Sequence, residues 1–122
     1  MKRKLLIILV FVVTSCRNQN DINSVQGTYV TRFQTEYSKG MDTVEIIPIN
    51  EDAGTFRYVR RIGYKRISGG VLGPDLYKVE NSTCVFSKGA SQLSEERFGR
   101  MYFFSKDGNQ LISGNSVYKR IQ

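Results

Sequence analysis

From residue 28 to residue 121 the chain alternates short runs of β-branched and aromatic residues with Gly, Asn and Asp. No stretch keeps a helical period over about ten residues. This pattern predicts strands over 28–34, 43–49, 55–67, 77–80, 83–87, 92–97, 101–105, 110–113 and 117–121. Period-two alternation is clearest where Tyr29, Thr31 and Phe33 interleave with Val30 and Arg32, and where Phe56 and Tyr58 interleave with Arg57 and Val59. Asp107-Gly108 marks a hairpin, because such turns need positive φ. Asn50 to Gly54 reads as a looser hairpin loop. Gly69-Gly70 and Gly73-Pro74-Asp75 bracket a longer connection, with a single helical turn after Pro74. Strands at this spacing without crossover helices imply an all-β antiparallel meander, closed into a small barrel or folded into a sandwich.

The N-terminus reads differently. Met1 to Lys4 is a basic start, and Leu5 to Val13 is an uncharged apolar run. That run is too short to span a bilayer, which takes about 20 apolar residues in a helix. It fits the apolar region of a signal peptide. Val13-Thr14-Ser15-Cys16 follows, and it resembles the lipobox of bacterial lipoproteins: a branched apolar residue, two small residues, then cysteine. The resemblance implies cleavage after Ser15 and lipidation of Cys16. The expected organisation is a cleaved signal over 1–15, a lipidated Cys16 with a flexible polar tether to 24, and one all-β domain over 25–122. Acyl chains gain about 0.8 kcal/mol per buried CH₂, so such an anchor holds firmly. With Lys2, Arg3 and Lys4 removed, the formal charge falls from +7 to +4. That moderate surplus suits acidic partners or anionic surfaces and identifies neither. Arg17, rather than an acidic run, follows Cys16, and no aspartate occupies that position. The expected location is therefore the bacterial envelope, on the outer membrane facing the periplasm.

Catalytic chemistry has little to build on. The chain has no histidine, the usual general base. Apart from Cys16 the sole thiol is Cys84, in phase with Phe86 and expected in the core, where free cysteine packs as a small hydrophobe. Glu95 and Glu96 are adjacent, so on a strand they face opposite sides. One thiol without histidine holds no metal, and no glycine-rich loop opens a helix to cradle a cofactor phosphate. The expectation is a non-enzymatic protein with no catalytic residues, no metal and no cofactor.

One segment stands out. Residues 56–67 interleave Arg57, Arg60, Arg61, Lys65 and Arg66 with Phe56, Tyr58 and Tyr64. On an unbroken strand, Arg57, Arg61 and Lys65 share a face with Val59 and Ile67. Arg60 and Arg66 then share the aromatic face, where an arginine is either stacked or paired with a carboxylate. A bulge at Gly63 would change this phase. The plain reading is a solvated face whose charges keep an edge from aggregating. The functional reading is a strip that binds an acidic protein partner. Single-stranded nucleic acid also takes basic and aromatic residues, but an envelope protein meets it only in conjugation or uptake. The remaining aromatics (Tyr29, Phe33, Tyr77, Phe86, Phe98, Tyr102, Phe103, Phe104 and Tyr118) suit a barrel interior, either as packing or as the lining of an apolar-ligand cavity.

Gly27-Thr28-Tyr29, Glu36-Tyr37, Asp42-Thr43, Arg60-x-x-Gly63-Tyr64-x-Arg66-Ile67, Gly114 and Tyr118-Lys119-x-Ile121 together resemble a family of small Bacteroidota lipoproteins associated with conjugative-transposon genes. At fold level the pattern is similar to lipocalin-like β-barrels. The resemblance implies an envelope component and supplies no catalytic residues; a barrel by itself implies no ligand. Asp42-Thr43-Val44 also resembles the short O-glycosylation motif of exported Bacteroidota proteins, which would place a glycan on Thr43. The plain alternative is a strand beginning at Asp42.

Overall fold

The computed structural model describes residues 25–122. The signal over 1–15, the lipidation residue Cys16 and the tether to residue 24 lie outside the described residues. The domain is all-β, and the barrel is realised rather than the sandwich. Eight strands close in sequence order: β1 (Gly27–Gln34), β2 (Ser38–Asn50), β3 (Thr55–Ser68), β4 (Val71–Ser87), β5 (Gln92–Glu95), β6 (Met101–Phe104), β7 (Gln110–Ser113) and β8 (Ser116–Arg120). Every neighbouring pair is antiparallel, and β1 meets β8 through Tyr29 and Val30 to close the ring.

Three sequence expectations are corrected. The predicted strands over 77–80 and 83–87 are one strand, β4, which also takes in Gly73-Pro74-Asp75. Asn81 and Ser82 do not break it, because each has a partner on β3, Val59 and Tyr58. Gly69-Gly70 is no longer connection but a two-residue hairpin, with positive φ at both glycines (58° and 80°), as such a turn requires. No helical turn follows Pro74. The single 3-10 turn among the described residues lies at Lys88–Ala90 instead and ends on Ser91 at φ 49°. Of the two readings of β3, the unbroken strand holds and the alternative bulge at Gly63 is absent: Met41, Gly63 and Tyr77 stay in register. The ladder shifts beyond Lys65, where the extra residue falls on β4 beside Pro74. Proline has no N–H for a ladder, so a bulge is where it is tolerated.

Val25, Tyr29, Val44, Ile46, Phe56, Tyr58, Cys84, Leu93, Tyr102, Leu111 and Tyr118 fill the interior, with Phe86 and Phe104 packed against them. Burying one such side chain is worth about 1.5–3 kcal/mol. The buried phenols are all hydrogen-bonded. Tyr29 donates to the Val25 carbonyl (2.9 Å), Tyr58 and Tyr102 share a bond of 2.6 Å, and Tyr118 donates to Asp42 (2.9 Å). Three aromatics expected inside are exposed. Tyr77 and Phe103 fall on the outward parity of their strands, and Phe98 lies in the β5–β6 loop.

The strands are very unequal. β2, β3 and β4 have 13, 14 and 17 residues, whereas β5, β6 and β7 have four each. β4 pairs with β5 only from Cys84 to Ser87. Beyond the ring, β1 to β4 therefore continue as an open four-stranded sheet. This projection ends in the β1–β2 turn and the Gly69-Gly70 hairpin.

Candidate interaction surface

The inner face of the sheet changes character where the ring ends. Register sets Arg60 on β3 directly opposite Glu80 on β4 and Val44 on β2, while Asp42 on β2 stands opposite Ile62, diagonal to Arg60 on the same inner face. Arg60 grips Asp42 through Nη2 (2.6 Å to Oδ2) and Nε (3.0 Å to Oδ1) and reaches Glu80 at 3.4 Å. Arg100 enters from the β5–β6 loop and binds Glu80 at 2.6 Å. Lys78 approaches the same carboxylate at 3.6 Å. The sequence alternatives for Arg60 are thus decided: it is paired, not stacked.

Solvation fixes the protonation states. Burial alone would raise the Glu80 pKa, but Arg100, with Arg60 and Lys78, brings it below the ordinary glutamate value. Asp42 and its hydrogen bond hold the Arg60 guanidinium charged. Burial pushes the Tyr58, Tyr102 and Tyr118 phenols up, so they stay neutral donors. Burial likewise pushes the Cys84 thiol up to about 12. It packs, as its sequence position implied, and remains protonated at neutral pH.

Glu95 plays a part that adjacency to Glu96 concealed. Its buried carboxylate accepts the N–H groups of Arg97, Phe98 and Arg100 and so folds the β5–β6 loop around itself. Burial alone would raise its pKa, but these N–H groups together with the Ser82 side chain hold it below the glutamate value. The loop carries Phe98 against the Arg97 and Arg100 guanidiniums, 5.0 and 4.7 Å from its ring centre. Among the described residues no group of three or more His, Cys, Asp or Glu side chains is placed to hold a metal ion.

The basic strip divides. β3 is unbroken, so the predicted faces hold. On the outer face Arg61 pairs with Glu45 (2.8 Å), Lys65 with Asp75 (3.4 Å), and Arg57 meets Asn81 at a long 3.5 Å. Arg60 points inward. Arg66 is exposed near the tip without a hydrogen bond or ion pair among the described residues. Thr43 stands mid-strand on the outer face, between Val30 and Arg61, and is half-buried. Its neighbour Asp42 belongs to the inner network.

The chain matches no protein-family model, no curated protein and no solved structure.

What distinguishes the projecting sheet is an open cleft of about 470 Å³ over Gly63, lined by Arg32, Lys39 and Lys65, by Met41 and Tyr64, and by one carboxylate, Asp75. Register sets Lys39 directly opposite Lys65. Like charges in that relation destabilise a sheet. Arg32 and Lys39 escaped the sequence reading because each is an isolated cation in its own strand. Only pairing with β3 brings them to Lys65.

Proposed function

We propose that the chain is a lipid-anchored, non-enzymatic component of a bacterial envelope assembly, holding an acidic protein partner on the projecting sheet. The observation that carries this reading is the opposition of Lys39 and Lys65 in the cleft. A cross-strand pair of lysines weakens the fold, and a single carboxylate, Asp75, offsets three cations there. An anionic partner makes such an arrangement useful. Met41 and Tyr64 add apolar contact, and Tyr37, at the β1–β2 turn, is 72% exposed. The partner site shifts from the strip as read in sequence: Lys65 remains in it and Arg66 stands near it, while Arg60 is structural. β1 runs from Gly27 toward this tip, so the first described residues lie at the other end of the domain.

The interior favours binding outside the barrel over binding within it. Tyrosines and the Asp42–Arg60–Glu80 network fill the space where an apolar ligand would sit.

Lys39→Glu tests the reading. It places a carboxylate opposite Lys65 and stabilises the domain by about 0.5 kcal/mol. Capture of the partner from the native envelope falls with it. A more stable variant that captures the same partner equally well contradicts the proposal.

A further inference from the structure

We infer that the open edge of β4, from Asp75 to Val79, receives an extended acidic segment of the partner as an added strand. This rests on the proposed acidic partner and names how it is held. In an antiparallel ladder both main-chain groups of a residue point to one side, and sides alternate along the strand. The Phe86 N–H bonds Gly54, on the β3 side. The Thr83 carbonyl accepts the Glu96 N–H, and the Asn81 carbonyl accepts Arg97 Nη1, both on the opposite side. Register runs unbroken from Cys84 to Asp75. The main-chain groups of Val79, Tyr77 and Asp75 therefore face away from β3. β5 pairs no further than Cys84, and among the described residues no strand covers this edge. The loop held by Glu95 caps Thr83 and Asn81, and Pro74 with its bulge blunts the far end. Between them lies a short, uncapped template, the arrangement that strand addition uses.

Charge selects the occupant. Arg60, Arg100 and Lys78 all converge on Glu80, and Asp42 is taken by Arg60. Three cations share two carboxylates. Lys78, on the edge strand itself with 59% of its side chain exposed, is the least satisfied. A carboxylate on the added strand beside Lys78 completes the set. On the outer face Tyr77 (65% exposed) and Val79 offer apolar contact to alternate residues of the same segment. A lipid surface has no N–H and C=O row to match this edge, so the geometry points to a peptide.

The test uses amide hydrogen exchange on the full-length protein with an acetylated alternating Glu-Val peptide as probe. Exchange at Tyr77 and Val79 slows by about tenfold or more at saturation, since each amide gains a hydrogen bond. An alternating Lys-Val peptide does not slow it. Val79→Pro removes a donor that β3 does not use, and it abolishes the protection while the thermal midpoint stays near that of the parent. Lys78→Glu weakens the protection without touching the backbone and serves if the proline variant fails to fold. Peptide binding that protects the Lys39–Lys65 cleft but not Tyr77 and Val79 overturns strand addition and leaves the acidic-partner reading standing. Equal protection by both peptides overturns the charge selection. Protection by anionic phosphatidylglycerol vesicles alone overturns both.

Discussion

Arg60 and Asp42 lie diagonally on neighbouring strands, with two guanidinium nitrogens engaging both carboxylate oxygens, the shortest contact being 2.6 Å. Together they mark the level at which the barrel interior turns from apolar to ionic. Removing one member strands the other's charge in a largely buried site. Arg60→Met and Asp42→Asn should each destabilise the domain by about 3 kcal/mol, and the double variant Asp42→Asn/Arg60→Met by less than the sum of the two. Urea unfolding of the three variants checks this. Simple additivity would show that the pair is not coupled.

Glu80 and Glu95 set the acid limit. Both have folded-state pKa values held below that of an ordinary glutamate. A carboxyl depressed on folding contributes stability that is full above its unfolded pKa. That contribution is lost as pH falls through the lower folded value. Stability should therefore decline below about pH 4.5, and Glu95→Gln should flatten that decline while lowering stability at neutral pH. An acid limb unchanged by the substitution would remove Glu95 from the account.

The alkaline side has the opposite sign. Burial holds the folded pKa values of Tyr58, Tyr102 and Tyr118 above the ordinary phenol value of about 10. Their contribution is full below that value and is lost as pH rises past it. Phenolate absorbance from these three should appear together with loss of the barrel's near-ultraviolet circular dichroism. Ionisation while that signal persists would contradict the buried network.

Two glycines in the projecting sheet separate crowding from open space. A methyl at Gly40 would lie 2.7 Å from Tyr64 Cα, closer than real side chains come, whereas one at Gly63 meets nothing within 4 Å. Gly40→Ala should cost about 1–3 kcal/mol. Gly63→Ala should leave the fold intact while intruding on the cleft. Equal effects of the two on stability would refute the close approach of β2 and β3.

Much of the fold was legible because period-two alternation reports burial directly. Phe56, Tyr58 and Arg60 share a face in the sequence as they do in the barrel, and Cys84 sits where its phase with Phe86 put it. The failures share a physical cause. Asn81, Ser82 and Pro74 look like breaks when intrinsic preference is read alone, yet pairing with β3 carries β4 through them. Long-range pairing also hid the site. Glu80 and Asp42 gave no local sign of an inward role, Arg100 reaches the network from a loop, and Lys39 acquires meaning only opposite Lys65. Strand register, not composition, assembles this surface.

The most direct measurement is site-specific photocrosslinking in the native cell, with the reactive group at Met41 in the cleft and, separately, at exposed Val117 on β8. A partner held on the projecting sheet gives a discrete protein adduct from Met41, absent from Val117 and lost in the Lys39→Glu background. Adducts of equal yield from both positions, or none from Met41, would contradict it.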